Sequence, residues 1–201
     1  MIRLHFGFGQ KTGIGLETEV AGDIRSLSNK GEIWGATASF GQGITVTPFQ
    51  LAVAYSALAN GGKMARPYIV SEKRWQNGKI ERTNPEIIDQ IISERASKLI
   101  TGMLVSDIER GHSKATRLND YYIAGKTGTA QIAGKGGYQD LGTNHTFAGF
   151  GPASNPRVTL IVKFEHPLMD PLRDYADYTA APVFKDVMKF ALEYLGVPKE
   201  R

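Results

Sequence analysis

Tyr121-Tyr122-Ile123-Ala124-Gly125-Lys126-Thr127-Gly128-Thr129-Ala130-Gln131 is the stretch on which the reading of this chain turns. Its first half is rich in aromatic and β-branched residues, which favours an extended backbone up to Lys126. A strand sends successive side chains to opposite faces, so Lys126 and Gly128 are expected on one side and Thr127 and Thr129 on the other. Gly128, lacking a side chain, leaves room for a second backbone to lie alongside. At a sheet edge, such a strand can receive an extended peptide through main-chain hydrogen bonds while Lys126 and a threonine hydroxyl hold a carboxylate.

Two other readings compete for the same residues. Gly125-Lys126-Thr127 is also the tail of a phosphate-binding P-loop, but that motif needs a glycine where Asp120 stands. The intervening Tyr-Tyr-Ile-Ala is bulky, and a loop that cradles phosphate with backbone N–H groups is not easily built from it. The other reading is a plain strand with an exposed lysine, which a Lys-Thr-Gly triplet alone does not exclude.

Working outward, the polar segment Gly111 to Asp120 reads as a loop feeding the Lys126 strand. Before it, from Ser93, the residues Ala96, Leu99, Ile100, Met103, Leu104 and Ile108 repeat at helical spacing up to Gly111, which predicts an amphipathic helix laid on a sheet. After it, Ile132 to Asn144, with Gly134, Gly136, Gly137 and Gly142, reads as a flexible connection beside the candidate site that could gate a substrate, or as a plain hairpin loop. His145 to Gly151 and Val158 to Phe164 are two further strands joined by the turn formers of Pro152 to Pro156. Short connections favour antiparallel neighbours, so a three-stranded meander is expected. Thr179 to Leu195 then sets Val183, Phe184, Val187, Met188, Ala191, Leu192 and Leu195 on one helical face, ending at Gly196, to cover one side of that sheet.

Further upstream, Thr47 caps a helix with Pro48 in its first turn. Phe49 to Asn60 is almost wholly apolar, which predicts a buried helix. Arg66 to Arg82 alternates short extended pieces around Asn77-Gly78, a surface hairpin signal, with Trp75 read as packing ahead of partner contact. Residues 1 to 31 carry repeated glycines that read as turns, and Gly7-x-Gly9-x-x-x-Gly13 misses dinucleotide-binding spacing.

The 201 residues suit one domain or a large part of one, with 41% hydrophobic content. The net charge of +4 is too mild to indicate nucleic acid. Locally, Arg110, Lys114, Arg117, Lys126 and Lys135 are opposed between Arg110 and Gln139 only by Asp120, so anionic ligands are expected there, although a solvated basic face would look the same. Cysteine is absent, which excludes disulfides and thiolate chemistry. His5, His112, His145 and His166 show no metal-ligand spacing, so no metal is expected; surface or strand positions are expected for all four. Glu165-His166 is not a catalytic pair, because adjacent strand residues face opposite ways. No apolar run reaches the length of a membrane span.

Lys126-Thr127-Gly128-Thr129 resembles the third motif of the transpeptidase domain of penicillin-binding proteins, in particular the class B, division-type D,D-transpeptidases. Phe40-Gly41-Gln42-Gly43-Ile44-Thr45-Val46-Thr47-Pro48-Phe49-Gln50-Leu51-Ala52, with Ala57 to Gly62, looks like that family's long signature helix. Phe6 to Ile14 is similar to the turn-rich segment after its second motif. The first two motifs, Ser-x-x-Lys with the nucleophile and Ser-x-Asn, do not occur in these 201 residues. The chain is therefore expected to be the C-terminal portion of such a domain, residues 1–201 beginning just after the second motif.

The resemblance implies an α/β (α+β) fold, an antiparallel sheet flanked by helices, serine β-lactamase/transpeptidase-like and incomplete. It implies catalytic roles for Lys126 and Thr129, and substrate binding by Lys126, Thr127, Gly128 and Thr129. A serine supplied upstream would attack the D-Ala-D-Ala carbonyl of a peptidoglycan stem peptide and form an acyl-enzyme, with no cofactor. The implied partners are the stem peptide, β-lactam antibiotics, the upstream half of the same domain and other cell-division or cell-wall proteins, at the extracytoplasmic face of the bacterial membrane. Two alternatives stay open: a non-enzymatic remnant that binds peptide or a partner, and a D,D-carboxypeptidase or β-lactamase relative.

Overall fold

The computed structural model of the chain describes residues 6–134 and 137–201, so His5, Lys135 and Gly136 lie outside the described residues. Its helices are α1 (Glu32–Ser39), α2 (Pro48–Ala59), α3 (Glu94–Arg110) and α4 (Ala180–Tyr194). Its strands are β1 (Lys63–Ala65), β2 (Glu72–Arg74), β3 (Ile80–Arg82), β4 (Ile87–Gln90), β5 (Ala124–Gly134), β6 (Gly137–Gly151) and β7 (Val158–Glu165). The predicted meander is present as an antiparallel sheet in the order β5-β6-β7, with β5 on its edge. Two small ribbons, β1 with β4 and β2 with β3, stand apart from it.

Register fixes which side chains share a face. Lys126 lies opposite Ala148, Thr127 opposite Phe147 and Thr129 opposite His145, while Phe147 in turn faces Val162. Alternation then puts Lys126, Gly128, Thr146 and Ala148 on one side and Thr127, Thr129, His145 and Phe147 on the other, as the sequence led us to expect. The second side is closed by α4, whose Phe184, Met188 and Leu192 are fully buried with Phe147, Ile123 and Ile108. The Phe147 and Phe184 rings meet at 4.3 Å and 48°. Each such side chain removed from water contributes about 1.5–3 kcal/mol, which makes this the main core. The packing is close enough to require bare backbone at two points. A Cβ on Gly125 would meet the Phe147 ring at 2.6 Å, and one on Gly149 would meet the Ala124 carbonyl at 2.7 Å.

The start of β5 is held by the last residues of the chain. Arg201 forms a two-pronged pair with Glu109 of α3 at 2.8 and 2.9 Å. It also donates to the carbonyls of Leu118 and Tyr121 and lies over the Tyr122 ring at 4.2 Å. The Glu200 carboxylate accepts from the Tyr122 N–H at 2.8 Å. These contacts fix the strand just before Lys126.

Several expectations need correction. The apolar helix begins at Pro48, so Phe40 to Val46 of the helix-like signature is not helical. Nor is α2 buried throughout: Gln50, Ala54 and Ala57 are buried, but Phe49 is 44% exposed. Only one face meets β1, β6 and β7. In α3 the buried residues are Ser97 and Ile108, whereas Leu99 and Met103 turn outward. Likewise Val183, Val187 and Leu195 of the terminal helix segment are exposed. In each case the apolar residues span a wider arc than the stripe that a helix presses on a sheet.

Within Ile132 to Asn144 the described residues form paired ladder. β5 runs to Gly134, and after a register shift Ala133 pairs with Tyr138 and Gly134 with Gly137. Ladder hydrogen bonds are made by backbone, so glycines do not forbid them. The Asn77-Gly78 hairpin is present, with Trp75 N–H donating to the Lys79 carbonyl at 2.9 Å. Its Trp75 side chain is 53% exposed and does not serve as core packing.

Candidate active site

Lys126 sits on the edge strand with its side chain half-exposed. Its ammonium bends back over Thr127, donating to Oγ1 at 3.2 Å and to the carbonyl at 3.3 Å. The backbone there is strand, which disposes of the phosphate-loop reading. Asp107 of α3 brings Oδ2 to 4.0 Å from Nζ. At that distance and exposure the pair contributes less than about 1 kcal/mol, so its effect is on where the ammonium points. Asp107 is itself held, accepting from the buried Ser113 hydroxyl at 2.6 Å.

A second carboxylate bears on the same cation. Oδ1 of Asp177 is buried and has no hydrogen-bond partner among the described residues. Burial pushes its pKa up from the usual carboxylate range; Asp107 adds to the rise, while Lys126 and His112 pull against it. Tyr55 of α2 is pushed up to about 12, first by burial and then by the Asp107 charge. The expected surplus of local positive charge is thus corrected. Acids from outside the Arg110–Gln139 window reach into it, Asp107 and Asp177 toward Lys126 and Glu109 toward Arg117 at 3.1 Å.

On the alternate face, the Thr129 hydroxyl accepts from the Ala176 N–H at 3.2 Å. Gly128 leaves open space, since an added Cβ would come no nearer than 3.9 Å to Thr146. All four residues Lys126, Thr127, Gly128 and Thr129 line one cavity of about 950 Å³. Its floor is the sheet face bearing Thr146 and Ala148, and its far wall is the Asp23–Val46 segment. That wall is fastened by a two-way bridge between Asp23 and Thr45, both bonds at 2.7 Å. An ammonium and two hydroxyls along one open edge suit a carboxylate. Ser26 also lines the cavity, but its hydroxyl donates to the Gly43 carbonyl at 2.5 Å.

A family model described as penicillin binding protein transpeptidase domain matches residues 4–189. The chain belongs to this family. Stage V sporulation protein D of Bacillus subtilis is 38% identical over 96% of this chain and 30% of its own length. A peptidoglycan D,D-transpeptidase FtsI homolog of Mesostigma viride is 32% identical over 97% of this chain and 36% of its own. The apo crystal structure of penicillin binding protein 3 from Mycobacterium tuberculosis superposes with a TM-score of 0.88 at 28% identity, covering all of this chain and 47% of that one. The same protein complexed with ampicillin gives 0.88 at 28% identity over 98% of this chain and 46% of that one. This transpeptidase-domain chain thus spans about a third of the length of those curated relatives. The predicted mixed fold, antiparallel sheet with flanking helices, is the fold of these neighbours.

The sequence reading missed Asp107, Ser113 and Asp177 around Lys126. Asp107 lies on a helix read only for its apolar periodicity, and Asp177 lies in the connection before α4, so nothing local ties either one to the strand. Gln50 was also missed as an anchor, though Thr47-x-x-Gln50 carries a signal. Thr47 Oγ1 accepts from Gln50 N–H at 3.1 Å while Gln50 Oε1 accepts from Thr47 N–H at 2.9 Å, a reciprocal cap. Its Nε2 then donates to the carbonyls of Gln10 and Ala21, both at 2.7 Å, fastening the glycine-rich segment to α2. Among the described residues no three His, Cys, Asp or Glu side chains converge to hold a metal.

Proposed function

We propose that this chain is the C-terminal portion of a serine D,D-transpeptidase domain and supplies the non-nucleophilic wall of its acylation site. The single observation that carries this reading is the half-exposed Lys126 on an open sheet edge, with Thr127, Gly128 and Thr129 beside it along one cavity. In this reading a serine on polypeptide outside these residues attacks the D-Ala-D-Ala carbonyl of a stem peptide. Its proton passes by way of a base near the Lys126 charge to the terminal D-Ala, which departs as its amide bond breaks and the acyl-serine ester forms; the acyl group then passes to an amine of a neighbouring strand, which releases the serine. Thr127 and Thr129 hold the terminal carboxylate, and Lys126 supplies positive charge to it.

The Thr129 N–H is assigned as one oxyanion donor. Support comes from the Lys126 ammonium reaching the Thr127 carbonyl: that carbonyl is open on the strand's free side, and the two-residue period turns the Thr129 N–H the same way. Losing one such donor costs about 3–4 kcal/mol of barrier. β-Lactams are trapped at the same acylation step, in keeping with the ampicillin and aztreonam complexes of the mycobacterial neighbour. The names of the relatives support a role in peptidoglycan synthesis during division or sporulation, and work at the outer face of the bacterial membrane is part of the same proposal. By itself the chain is proposed to be inert, because none of its serines has a lysine three residues on.

Fluorescent penicillin tests both halves of the proposal. The 201-residue chain should take up no covalent label, whereas the same residues joined to upstream sequence carrying Ser-x-x-Lys and Ser-x-Asn should be labelled on that serine. Label on a residue of this chain, or none on the joined protein, would overturn it.

A further inference from the structure

Of the described histidines, His145 is the one with no access to solvent: its side chain is 0% exposed on the central strand, directly across from Thr129. Both ring nitrogens are engaged. Nε2 lies 3.1 Å from Asp174 Oδ1 and 2.8 Å from Thr143 Oγ1, and Nδ1 lies 2.8 Å from Thr179 Oγ1. Thr143 donates its hydroxyl hydrogen to the other Asp174 oxygen at 2.9 Å. A carboxylate only accepts, so the ring carries a hydrogen on Nε2, shared with Thr143, and Nδ1 meets the Thr179 hydroxyl.

These contacts grip one short segment at both ends. Asp174 opens it, Thr179 closes it just before α4, and between them Ala176 N–H donates to the Thr129 hydroxyl. Asp177 belongs to the same segment, with its Oδ1 buried and without a hydrogen-bond partner among the described residues. Moving the segment would therefore disturb Thr129 through the Ala176 hydrogen bond.

We propose that His145 is a positioning residue: it latches Asp174–Thr179 onto the sheet so that Ala176 holds Thr129 in the geometry the site uses. The latch itself is a statement about this fold; its consequence for acylation rests on the transpeptidase reading above. A polar cluster closed around a buried ring depends on each of its partners, so breaking it at any of three residues should loosen the same segment.

The test has two arms. In the 201-residue chain, His145→Gln, Asp174→Ala and Thr179→Val should each speed amide hydrogen exchange at Ala176 by about tenfold or more, while Phe147 and Ala148 in β6 keep their protection. Thr179→Ser, which keeps the hydroxyl, should restore wild-type exchange. If His145→Gln fails to fold, Asp174→Ala and Thr179→Val decide the matter. Unchanged exchange at Ala176 in those variants would overturn the latch. In the protein joined to its upstream half, the same variants should lower the penicillin acylation rate constant about tenfold while changing the non-covalent dissociation constant less than about twofold. Acylation at the wild-type rate would overturn the positioning role. A wild-type protein that is never acylated would refute the transpeptidase reading instead, with the exchange arm still deciding the latch.

Discussion

The two faces of the β5-β6-β7 sheet are finished differently. On the face with Phe147 and His145, the chain provides its own cover in α4 and the segment before it, and the aromatic core there is fully buried. On the face with Lys126, Gly128, Thr146 and Ala148, the chain leaves a cavity of about 950 Å³, with Phe40, Ile44, Leu51 and Tyr55 also among its lining. The covered face sets stability, while the open face and its edge leave side chains free to meet something else. Substitutions on the two faces should therefore separate stability from ligand chemistry.

The largest stability effect is expected at the centre of the covered face. Phe184→Ala removes a fully buried ring packed at 4.3 Å on Phe147 and should destabilise the chain by about 3–5 kcal/mol in urea unfolding. A loss below about 1 kcal/mol would erase the distinction between the faces. Next comes Gln50→Ala, which strands the carbonyls of Gln10 and Ala21 and undoes the cap with Thr47. About 1–3 kcal/mol is expected, with early proteolysis of the glycine-rich segment as a second readout.

The clamp at the start of β5 sharpens the comparison through pH. Hydrogen bonds from Arg201 hold the Glu109 carboxyl below its ordinary range, with burial opposing and the charges of Arg201 and Arg117 assisting. Glu109 therefore titrates lower in the folded than in the unfolded chain. Its contribution is complete above the ordinary carboxylate range and is lost as pH falls through the lowered value. Glu109→Gln should cost about 1–2 kcal/mol near neutrality and flatten that part of the acid limb of stability against pH. An unchanged acid limb would show that Arg201 does not act through Glu109. The smallest effect belongs to the open face: Gly128→Ala has room for its methyl and should shift stability by less than about 0.5 kcal/mol. It should nevertheless weaken capture of an extended peptide along β5.

Much of this division was legible in the sequence. The alternation Lys126/Gly128 against Thr127/Thr129 follows from the two-residue period, and the meander from short, turn-rich connections. The terminal helix was readable as a cover because Phe184, Met188 and Leu192 recur at helical spacing. Its outer residues were misassigned because Val183 and Val187 are as apolar as the core. The glycines of Ile132 to Asn144 concealed a ladder, since backbone pairing leaves little trace in side-chain type. The surroundings of Lys126 were the least legible part. Asp107 comes from a helix and Asp177 from the segment before α4, and no spacing rule links a helix, a strand and a connecting segment that meet only after folding.

The account stands most directly on Lys126. In the protein joined to its upstream half, Lys126→Ala should abolish acylation by labelled penicillin while circular dichroism and the urea midpoint stay at wild-type values, because this side chain is half-exposed and outside the core. Labelling at the wild-type rate by a folded Lys126→Ala variant would contradict it.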